Sequence, residues 1–469
     1  MDLFLKILLY INVFVFIYFV FVNVSYITLL YFSYVQTKRS RKESKIFRLS
    51  GLFDSRLYKS ISILAPAYNE EESIIESTRA LLNLEFTDYE VIVVNDGSKD
   101  ETLAKLIDNF KLKKIDRYIP NELKCEPIKA VYGSRHYPNL FVVDKENGRK
   151  ADALNAGINV SRKDLICAVD SDTLLEPTVL QQMLMAFVAN PYTVAVGGVV
   201  RVANGCTFNL GEVQKVNTPK THIARIQAVE YLRSFLFGRT GWDYFDSLLI
   251  ISGAFGVFDR GSVIKVGGYL HDTVGEDMEL VVRLHRYYRD RDEKYRIRFL
   301  PEPVCWTEVP ESWSVLGRQR NRWQRGLADT LWRHRKMMLN PKYGSLGMLA
   351  MPFFLLVELL SPIIELSGYV LLAVSLYLGA INVQFALLFF TAAVLLGMIL
   401  SVLSVMLEEL TFRRYDRMRD VMILILYAFL ENFGYRQIHA WWRLKGLIDF
   451  LKGNKSWGEM TRSKGTFSS

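Results

Sequence analysis

The chain has 469 residues, half of them hydrophobic, and 58 Lys and Arg against 49 Asp and Glu give it a formal charge of +9. This length accommodates two or three domain-sized units, and the mildly positive mean hydropathy excludes a uniformly soluble protein. The four cysteines lack the paired spacing of a zinc site or a disulfide framework, and the six histidines form no HExxH cluster. We expect reduced thiols, and oxygen ligands for any metal.

The N-terminal segment is strongly apolar. Residues 3–34 contain one lysine and no acid, which exceeds the roughly 20 apolar residues that a helix needs to cross a bilayer. The basic run KRSRKESK (38–45) follows, and such a run marks the cytoplasmic side of a span. The pattern predicts a transmembrane helix within residues 1–36, an N-terminus outside the cell and a cytosolic domain over residues 46–345.

Two stretches of this domain predict strands that end in polar turns and lead into helices. They are SISILAPAYNEEESI (60–74) and YEVIVVNDGSKDETL (89–103). Two consecutive units of this kind indicate a parallel sheet, and ligands of such sheets bind beyond the carboxyl ends of the strands. Asn69, Glu70 and Asp96 would lie at that edge. The alternative for each is a turn or a helix cap.

A third buried strand, LICAVDSD (165–172), ends on two acids, Asp170 and Asp172. Burying unpaired carboxylates is costly, so a partner outside the strand is expected. Mg²⁺ or Mn²⁺ is commonly held by one or two carboxylates together with substrate phosphate oxygens. The sequence thus predicts a divalent-cation site here, with a solvated turn as the alternative.

Two helices follow with polar residues at informative positions. A helix that begins near Gly275 places Glu276 and Asp277 in its first turn, where the helix dipole alone would also stabilise acids. Further on, Gln319, Arg322 and Trp323 lie at i, i+3 and i+4, so they share one helix face. The alternative for that face is a basic, aromatic surface that lies on anionic lipid.

Apolar character returns in residues 346–450. Residues 348–379 and 383–407 predict two spans. The third apolar segment is short and polar at its end, so we predict that residues 421–450 lie along or dip into the cytoplasmic interface. This topology keeps the basic tail, residues 451–469, in the cytosol, as the positive-inside tendency requires.

Five blocks in a fixed order resemble the membrane-bound family 2 glycosyltransferases, which include cellulose, hyaluronan, chitin and poly-N-acetylglucosamine synthases. The blocks are VVNDGSKDET (93–102), GRKADALNAG (148–157), AVDSD (168–172), VGEDMEL (274–280) and RQRNRW (318–323). The last contains the Q-x-x-R-W pattern that is typical of processive members. The resemblance covers roughly residues 60–340. One departure is Gly275, where cellulose synthases usually have Thr.

The resemblance implies an α/β, GT-A-like cytosolic domain with a mostly parallel sheet that binds a nucleotide sugar, joined to helical transmembrane and interface segments. It also implies roles for individual residues. The implied UDP-sugar-binding residues are Tyr68, Asn69, Glu70, Asp96, Lys150, Asp170 and Arg322. The implied metal ligands for Mg²⁺ or Mn²⁺ are Asp172 and Asp170, the catalytic residues are Asp277 as general base with Glu276, and the acceptor-binding residues are Gln319 and Trp323.

The implied function is that of an inverting, membrane-embedded enzyme of the cell membrane, with several spans and a cytoplasmic catalytic domain. It would polymerise UDP-glucose or UDP-N-acetylglucosamine into a β-linked extracellular polysaccharide and pass the product through its own spans. Its partners would be the UDP-sugar, the growing polysaccharide and the bilayer, with accessory secretion subunits left open and no nucleic acid expected.

Two other interpretations remain. A non-processive transferase that acts on a lipid-linked acceptor conflicts with the Gln319 to Trp323 pattern. A non-enzymatic transporter or scaffold conflicts with the presence of every expected acid. Two weaker resemblances concern ISGAFGVFDR (251–260), which is similar to an acceptor region, and the tail around Trp457, which is similar to a gating loop or is simply a solvated terminus.

Overall fold

The computed structural model describes residues 3–50, 58–171, 173–209, 212–415 and 417–454. Asp172, one of the two predicted metal ligands, and the tail around Trp457 lie outside these ranges. Within them the chain forms a mixed α/β domain and a set of long apolar helices.

The described residues form twelve strands. They are β1 (Ile61–Ala67), β2 (Tyr89–Asp96), β3 (Lys113–Ile115), β4 (Ile128–Gly133), β5 (Leu140–Lys145), β6 (Leu165–Val169), β7 (Thr173–Leu175), β8 (Thr193–Val202), β9 (Thr207–Asn209), β10 (Glu212–Lys215), β11 (Phe255–Asp259) and β12 (Arg296–Thr307).

The same ranges contain fifteen α-helices. They are α1 (Leu3–Ser50), α2 (Ile74–Leu82), α3 (Thr102–Phe110), α4 (Arg149–Val160), α5 (Val179–Ala189), α6 (His222–Tyr231), α7 (Thr240–Tyr244), α8 (Arg260–Lys265), α9 (Glu276–Asp290), α10 (Trp313–Arg333), α11 (Met351–Phe353), α12 (Ser361–Tyr377), α13 (Val383–Phe412), α14 (Met418–Leu430) and α15 (Tyr435–Leu451). A π-helix, Leu232–Arg239, joins α6 to α7. Shorter 3₁₀ and π segments are Arg335–Met337, Pro341–Tyr343, Leu346–Ala350 and Phe354–Leu359.

Ten of the described strands form one sheet in the order β3-β4-β5-β2-β1-β6-β11-β8-β12-β7. Their pairings make seven strands run in one direction, while β4, β7 and β11 run in the other. The predicted α/β fold with a mostly parallel sheet is confirmed. Strands β9 and β10 form a separate antiparallel pair.

The centre of the sheet explains where the site lies. Strands β1, β2 and β6 are almost wholly buried, which fits their continuous apolar runs. Their parallel register, with Ala67 opposite Asn95 and Asp96 opposite Lys145, brings the carboxyl ends of β1, β2 and β5 to one edge. The loops that follow these strands therefore meet there, as the strand-end argument predicts.

Two described helices are long and apolar enough to cross a membrane, Leu3–Glu43 and Val383–Phe412. A third candidate is the pair Leu346–Leu359 and Ser361–Tyr377, which bends by 42° at its break. The predicted span over residues 348–379 thus corresponds to a bent pair. Helices α14 and α15 are shorter, and α15 packs along α10, so the interfacial location of residues 421–450 stays a prediction.

Helix α1 is one uninterrupted helix of 48 residues, and it extends well past the predicted end of the span at residue 36. Its second half contacts the α/β domain directly. Ser33 Oγ donates to the carbonyl of Leu236 at 3.1 Å, and Gln36 Nε2 donates to Asp243 Oδ2 at 2.6 Å. The apolar part of α1 and the part that contacts the α/β domain therefore belong to one continuous helix.

Candidate active site

The loops after β1 and β2 are bonded to each other. Asn69 adopts a left-handed backbone conformation with φ of 55°, which Asn tolerates better than most residues. Its side-chain oxygen accepts from the Lys99 N–H at 2.8 Å, and its own N–H donates to Ser98 Oγ at 3.0 Å. Asn69 thus shapes the edge, while the neighbouring Tyr68 is 44% exposed and leaves its ring open to a ligand.

Glu70 links the first loop to the acidic segment that follows β6. Its side chain is buried, and its two oxygens accept from Ser73 Oγ and Ser171 Oγ, each at 3.0 Å. Ser171 is the residue between the two acids of AVDSD. Glu70 therefore fixes the position of the segment that carries Asp170.

Asp96 lies in a buried ionic cluster that the sequence did not reveal. Lys145 Nζ is 2.7 Å from Asp96 Oδ1 and 2.5 Å from Asp152 Oδ1, and all three side chains are buried. The backbone N–H groups of Gly148 and Arg149 also donate to the Asp96 carboxylate. Burial by itself would lower the pKa of Lys145, but the two carboxylates outweigh burial and raise it. The sequence feature that could have revealed this cluster is the lysine that ends the apolar strand LFVVDK.

Lys150 and Asp170 form an ion pair on the open side of this edge. Lys150 Nζ also donates to the carbonyl of Gly253 at 2.9 Å. Burial opposes the charge of Lys150, but the carboxylates of Asp170, Glu276 and Asp277 outweigh it and raise the pKa. Lys150 therefore stays a cation among three acids.

Gly253 is the point at which these groups meet. A Cβ atom at this position would lie 3.2 Å from Asp277 Oδ2 and 3.3 Å from Lys150 Nζ. Any side chain at residue 253 would push against both. The glycine in ISGAFGVFDR thus keeps open the space between Lys150 and Asp277.

Helix α9 presents its two acids differently. Glu276 is buried, and burial raises its pKa, with Lys150 and Arg322 opposing this effect and Asp277 reinforcing it. Asp277 is only partly buried, and its Oδ1 accepts from the N–H of Met278 at 2.8 Å. Its second oxygen, Oδ2, is the one that faces Gly253.

The predicted face of α10 is only partly directed at these acids. The charge of Arg322 opposes the rise in the pKa of Glu276 that burial causes. Trp323 is 42% exposed, and the Arg320 guanidinium lies 4.1 Å from the centre of its ring. Gln319 Oε1 is buried with no hydrogen-bond partner in the described part of the chain.

The departure at Gly275 has a packing cause. A Cβ at Gly275 would lie 2.8 Å from Cα of Gly326 in α10, and a Cβ at Gly326 would lie 2.9 Å from Cα of Gly275. The two backbones touch, so a Thr at residue 275 would not fit. This contact holds the start of α9 against the helix that carries Arg322.

The donor set fits a hard cation only in a limited way. Within the described ranges no group of three or more metal-ligating side chains exists. Mg²⁺ and Mn²⁺ need just one or two carboxylates when substrate phosphates complete the shell. Asp170 offers a partly exposed carboxylate, and Asp172 lies outside the described residues. Carboxylate oxygens are suitable ligands for such an ion. In the structure, the Asp170 carboxylate is paired with the ammonium group of Lys150.

Comparison with known families gives a consistent result. The family described as Glycosyl transferase family 2 matches residues 62–266, and the one described as Glycosyl transferase family group 2 matches residues 165–430. A poly-β-1,6-N-acetyl-D-glucosamine synthase of Staphylococcus epidermidis is 28% identical over 275 residues, and one of Staphylococcus aureus (strain COL) is 29% identical over the same length. Each alignment covers 59% of this chain and 56% of the relative, so the chain spans about half the length of the curated relatives it matches.

Solved structures were compared as well. A mannosyltransferase from Pyrobaculum calidifontis in complex with GDP-Man and Mn²⁺ has a TM-score of 0.49 at 16% identity, covering 87% of this chain and 99% of that one. Staphylococcus aureus TarS 1–349 in complex with UDP-GlcNAc has a TM-score of 0.39 at 14% identity, covering 84% and 92%. One of the two family matches takes in more than half of the sequence, and on that ground the chain belongs to the family 2 glycosyltransferases.

Proposed function

We propose that this glycosyltransferase is a membrane-embedded, inverting enzyme that polymerises UDP-glucose or UDP-N-acetylglucosamine into a β-linked extracellular polysaccharide and secretes it through its own transmembrane region. The observation that carries the proposal is the meeting of Lys150, Asp170 and Asp277 around the backbone of Gly253. In this proposal the cation of Lys150 would serve the diphosphate and the carboxylate of Asp277 would serve the acceptor hydroxyl, beside one small space. The similarity to poly-N-acetylglucosamine synthases supports the same assignment.

The UDP-sugar would occupy the edge formed by the loops after β1, β2 and β6. Tyr68 offers an exposed ring to the base, and Asn69, Glu70 and Asp96 hold the loops in shape through bonds within the protein. Lys150 and Arg322 would face the diphosphate, because cationic side chains form charge-assisted bonds with phosphate oxygens.

Asp170 and Asp172 would hold Mg²⁺ or Mn²⁺ beside the diphosphate. When bound, the ion would neutralise the charge of the leaving diphosphate. Lys150 contributes to the same end, since its ammonium group already balances Asp170. Glu70 keeps this segment in register through Ser171.

Asp277 would act as the general base. Its Oδ2 would take the proton of the acceptor hydroxyl while that oxygen forms a bond to the anomeric carbon. The bond between that carbon and the diphosphate breaks on the opposite face, and UDP leaves with the bonding electrons. Glu276, buried beside it, would hold Lys150 and Arg322 in place by charge.

Gln319 and Trp323 would contact the acceptor, and the chain would then leave through the apolar helices. Polar pairs between those helices support such a path, because polar side chains in membrane helices mark transport routes. Asn12 donates to Ser375 at 2.6 Å, and Arg436 pairs with Glu365 at 3.0 Å. In this arrangement residues 46–345 and the tail would be cytoplasmic and the chain would cross the membrane several times.

The competing proposal is a single transfer to a lipid-linked acceptor. It would use the same Lys150, Asp170 and Asp277, so the structure alone does not separate it from polymerisation. Product length does, because a processive enzyme releases a long polymer and a single-transfer enzyme releases a lipid with one added sugar.

The test uses the full chain in sealed vesicles with UDP-glucose, UDP-N-acetylglucosamine or GDP-mannose, each with Mg²⁺, Mn²⁺ or a chelator. We expect UDP release with one UDP-sugar, its loss with chelator, and a long polymer inside vesicles whose cytoplasmic face is outward. A one-sugar glycolipid product would favour the competing proposal. Absence of UDP release under every condition would overturn both.

A further inference from the structure

The π-helix Leu232–Arg239 lies between the catalytic sheet and the apolar helices. It packs against α1 and α13 and also against β8. Runs of π-helical hydrogen bonds are rare and are found frequently at functional sites. Its last residue, Arg239, belongs to none of the motifs that the sequence analysis singled out.

The guanidinium of Arg239 lies on an aromatic ring that itself packs against a second ring. Its guanidinium carbon lies 3.6 Å from the centre of the Phe235 ring, and the Phe235 ring centre lies 4.9 Å from that of Tyr231. Both rings are buried. A guanidinium backed by an aromatic face keeps its N–H groups in one plane, ready for a ligand at its edge.

One donor atom of the Arg239 guanidinium has no partner within the described structure. Nη1 is buried and has no hydrogen-bond partner there. Arginine carries five N–H donors and cannot shed its charge to avoid the cost of burial. A buried donor without a partner is uncommon in folded proteins and calls for an explanation such as a missing ligand.

The charged neighbours of Arg239 indicate which ligand this is. Burial lowers the pKa of Arg239, and the Asp277 carboxylate is the one acidic side chain of the site that counteracts burial. Lys150 differs, because Asp170 and Glu276 act on it as well as Asp277. The charge of the proposed base thus acts on Arg239, whereas that of Asp170 acts on Lys150.

We propose that Arg239 binds the acceptor polysaccharide by donating hydrogen bonds to the hydroxyl or N-acetyl oxygens of the sugars next to the reacting end. This inference deepens the proposed function, on which it rests. A ligand beside the Asp277 carboxylate and next to the apolar helices is the growing chain, which must reach the base and then leave along those helices. Neutral sugar oxygens suit N–H donors, and Arg239 thus orients the acceptor hydroxyl toward Asp277.

The test compares Arg239→Met and Arg239→Lys with Arg291→Met in the purified full chain. Arg291 is a matched control, because its guanidinium also lies on an aromatic ring, that of Tyr287 at 3.8 Å, but at the exposed end of α9. Calorimetry measures the affinity for UDP, and then, with UDP present, for β-linked tetramers of glucose and of N-acetylglucosamine. Thermal unfolding shows that each variant is folded.

We expect Arg239→Met to bind the tetramer preferred by the wild type at least tenfold more weakly, with UDP affinity within about twofold of the wild type. Arg239→Lys, which keeps the charge but loses the planar fork, should weaken tetramer binding about threefold. If Arg239→Met does not fold, Arg239→Lys is the variant that tests the proposal. Arg291→Met should match the wild type in both measurements.

Three results would overturn the inference. The first is equal tetramer affinity in the wild type and the Arg239 variants. The second is an equal loss of UDP affinity and tetramer affinity, which would assign Arg239 to the diphosphate. The third is the absence of tetramer binding by a wild type that binds UDP. A wild type that binds a tetramer through Arg239 but releases no UDP from any donor would overturn the proposed function instead.

Discussion

The two halves of the candidate site are built in different ways. The proposed donor half consists of the loops after β1, β2, β5 and β6, and there Glu70, Asp96 and Lys145 are engaged with partners inside the protein. The proposed acceptor half consists of α9, α10 and the π-helix, and there Gln319 Oε1 and Arg239 Nη1 are buried without a hydrogen-bond partner in the described structure.

The difference between these residues fits what each half would have to bind, although Asn95 Oδ1 at the end of β2 is likewise buried without a partner in the described structure. A nucleotide donor has the same shape in every cycle, so a preorganised set of loops suits it and costs little ordering on binding. A growing polymer must bind, react and then slide, so groups whose hydrogen bonds are completed only by the ligand suit it better. The comparison can be tested by disabling one half at a time.

Asp277→Asn should have the largest effect of the proposed changes, because it should nearly abolish sugar transfer while leaving donor binding almost unchanged. The amide cannot accept the hydroxyl proton, so sugar transfer should fall by roughly 10²–10⁴-fold. Binding of UDP-sugar should change by no more than about twofold, because the donor half is untouched. UDP release and calorimetry on the same preparation measure the two effects. Asp292→Asn, at the other end of α9, is the control.

Substantial turnover by Asp277→Asn would remove this residue as the base. A matching loss of donor affinity would show that the two halves are not separable. Asp292 suits the control because it is exposed and has a left-handed φ of 53°, which Asn also adopts readily.

Lys145→Met should damage the donor half through its stability. The change leaves Asp96 and Asp152 buried without their cation, and breaking a buried ion pair in this way costs about 3–5 kcal/mol. We expect a lower unfolding temperature of the full chain and weaker UDP binding. Tryptophan fluorescence during heating and calorimetry measure both.

The control for that experiment is Lys163→Met, because Lys163 pairs with Asp88 at the surface. Exposed pairs contribute at most about 1 kcal/mol. Equal unfolding temperatures for the two variants would contradict the view that the donor half depends on its buried cluster.

Gly275→Ala should produce the smallest effect and should act on the acceptor half. The new Cβ would lie 2.8 Å from Gly326 Cα, so α9 and α10 must separate slightly, at a cost of roughly 1–3 kcal/mol. Transfer should weaken more than UDP binding, because Asp277 shifts relative to Arg322. Thermal unfolding and UDP release are the measurements.

Gly261→Ala is the matched change, since its Cβ would meet only Asp259 Oδ2 at an ordinary 3.5 Å. Alanine in that helix should be neutral or favourable by up to about 1 kcal/mol. If Gly275→Ala and Gly261→Ala had the same unfolding temperature, the backbone contact between Gly275 and Gly326 would not contribute to the stability of the protein.

Much of the donor half could be predicted from sequence, because strand ends are local features. The apolar runs placed Asn69, Asp96 and Asp170 at one edge, and the parallel register confirms that the strand ends meet there. The partners of those residues could not be predicted, since Lys145 and Ser171 reach them across the fold.

The arrangement of residues in the acceptor half could not be predicted from the sequence, because it depends on how two helices cross. Helical spacing placed Gln319, Arg322 and Trp323 on one face, but the crossing of α9 and α10 at Gly275 decides which of them approaches the acids. Arg239 was missed because a π-helix does not follow the period of 3.6 residues on which helical patterns are recognised.

The unbroken helix α1 has a mechanical consequence. At about 1.5 Å per residue it is a rod of roughly 70 Å, and Ser33 attaches it to Leu236 in the same π-helix that ends at Arg239. Span helices tilt to match the thickness of the bilayer. In the proposed membrane-embedded enzyme, α1 is unbroken between its apolar part and Ser33, so such a tilt would move that segment. The thickness of the surrounding lipid would then affect the geometry of the site.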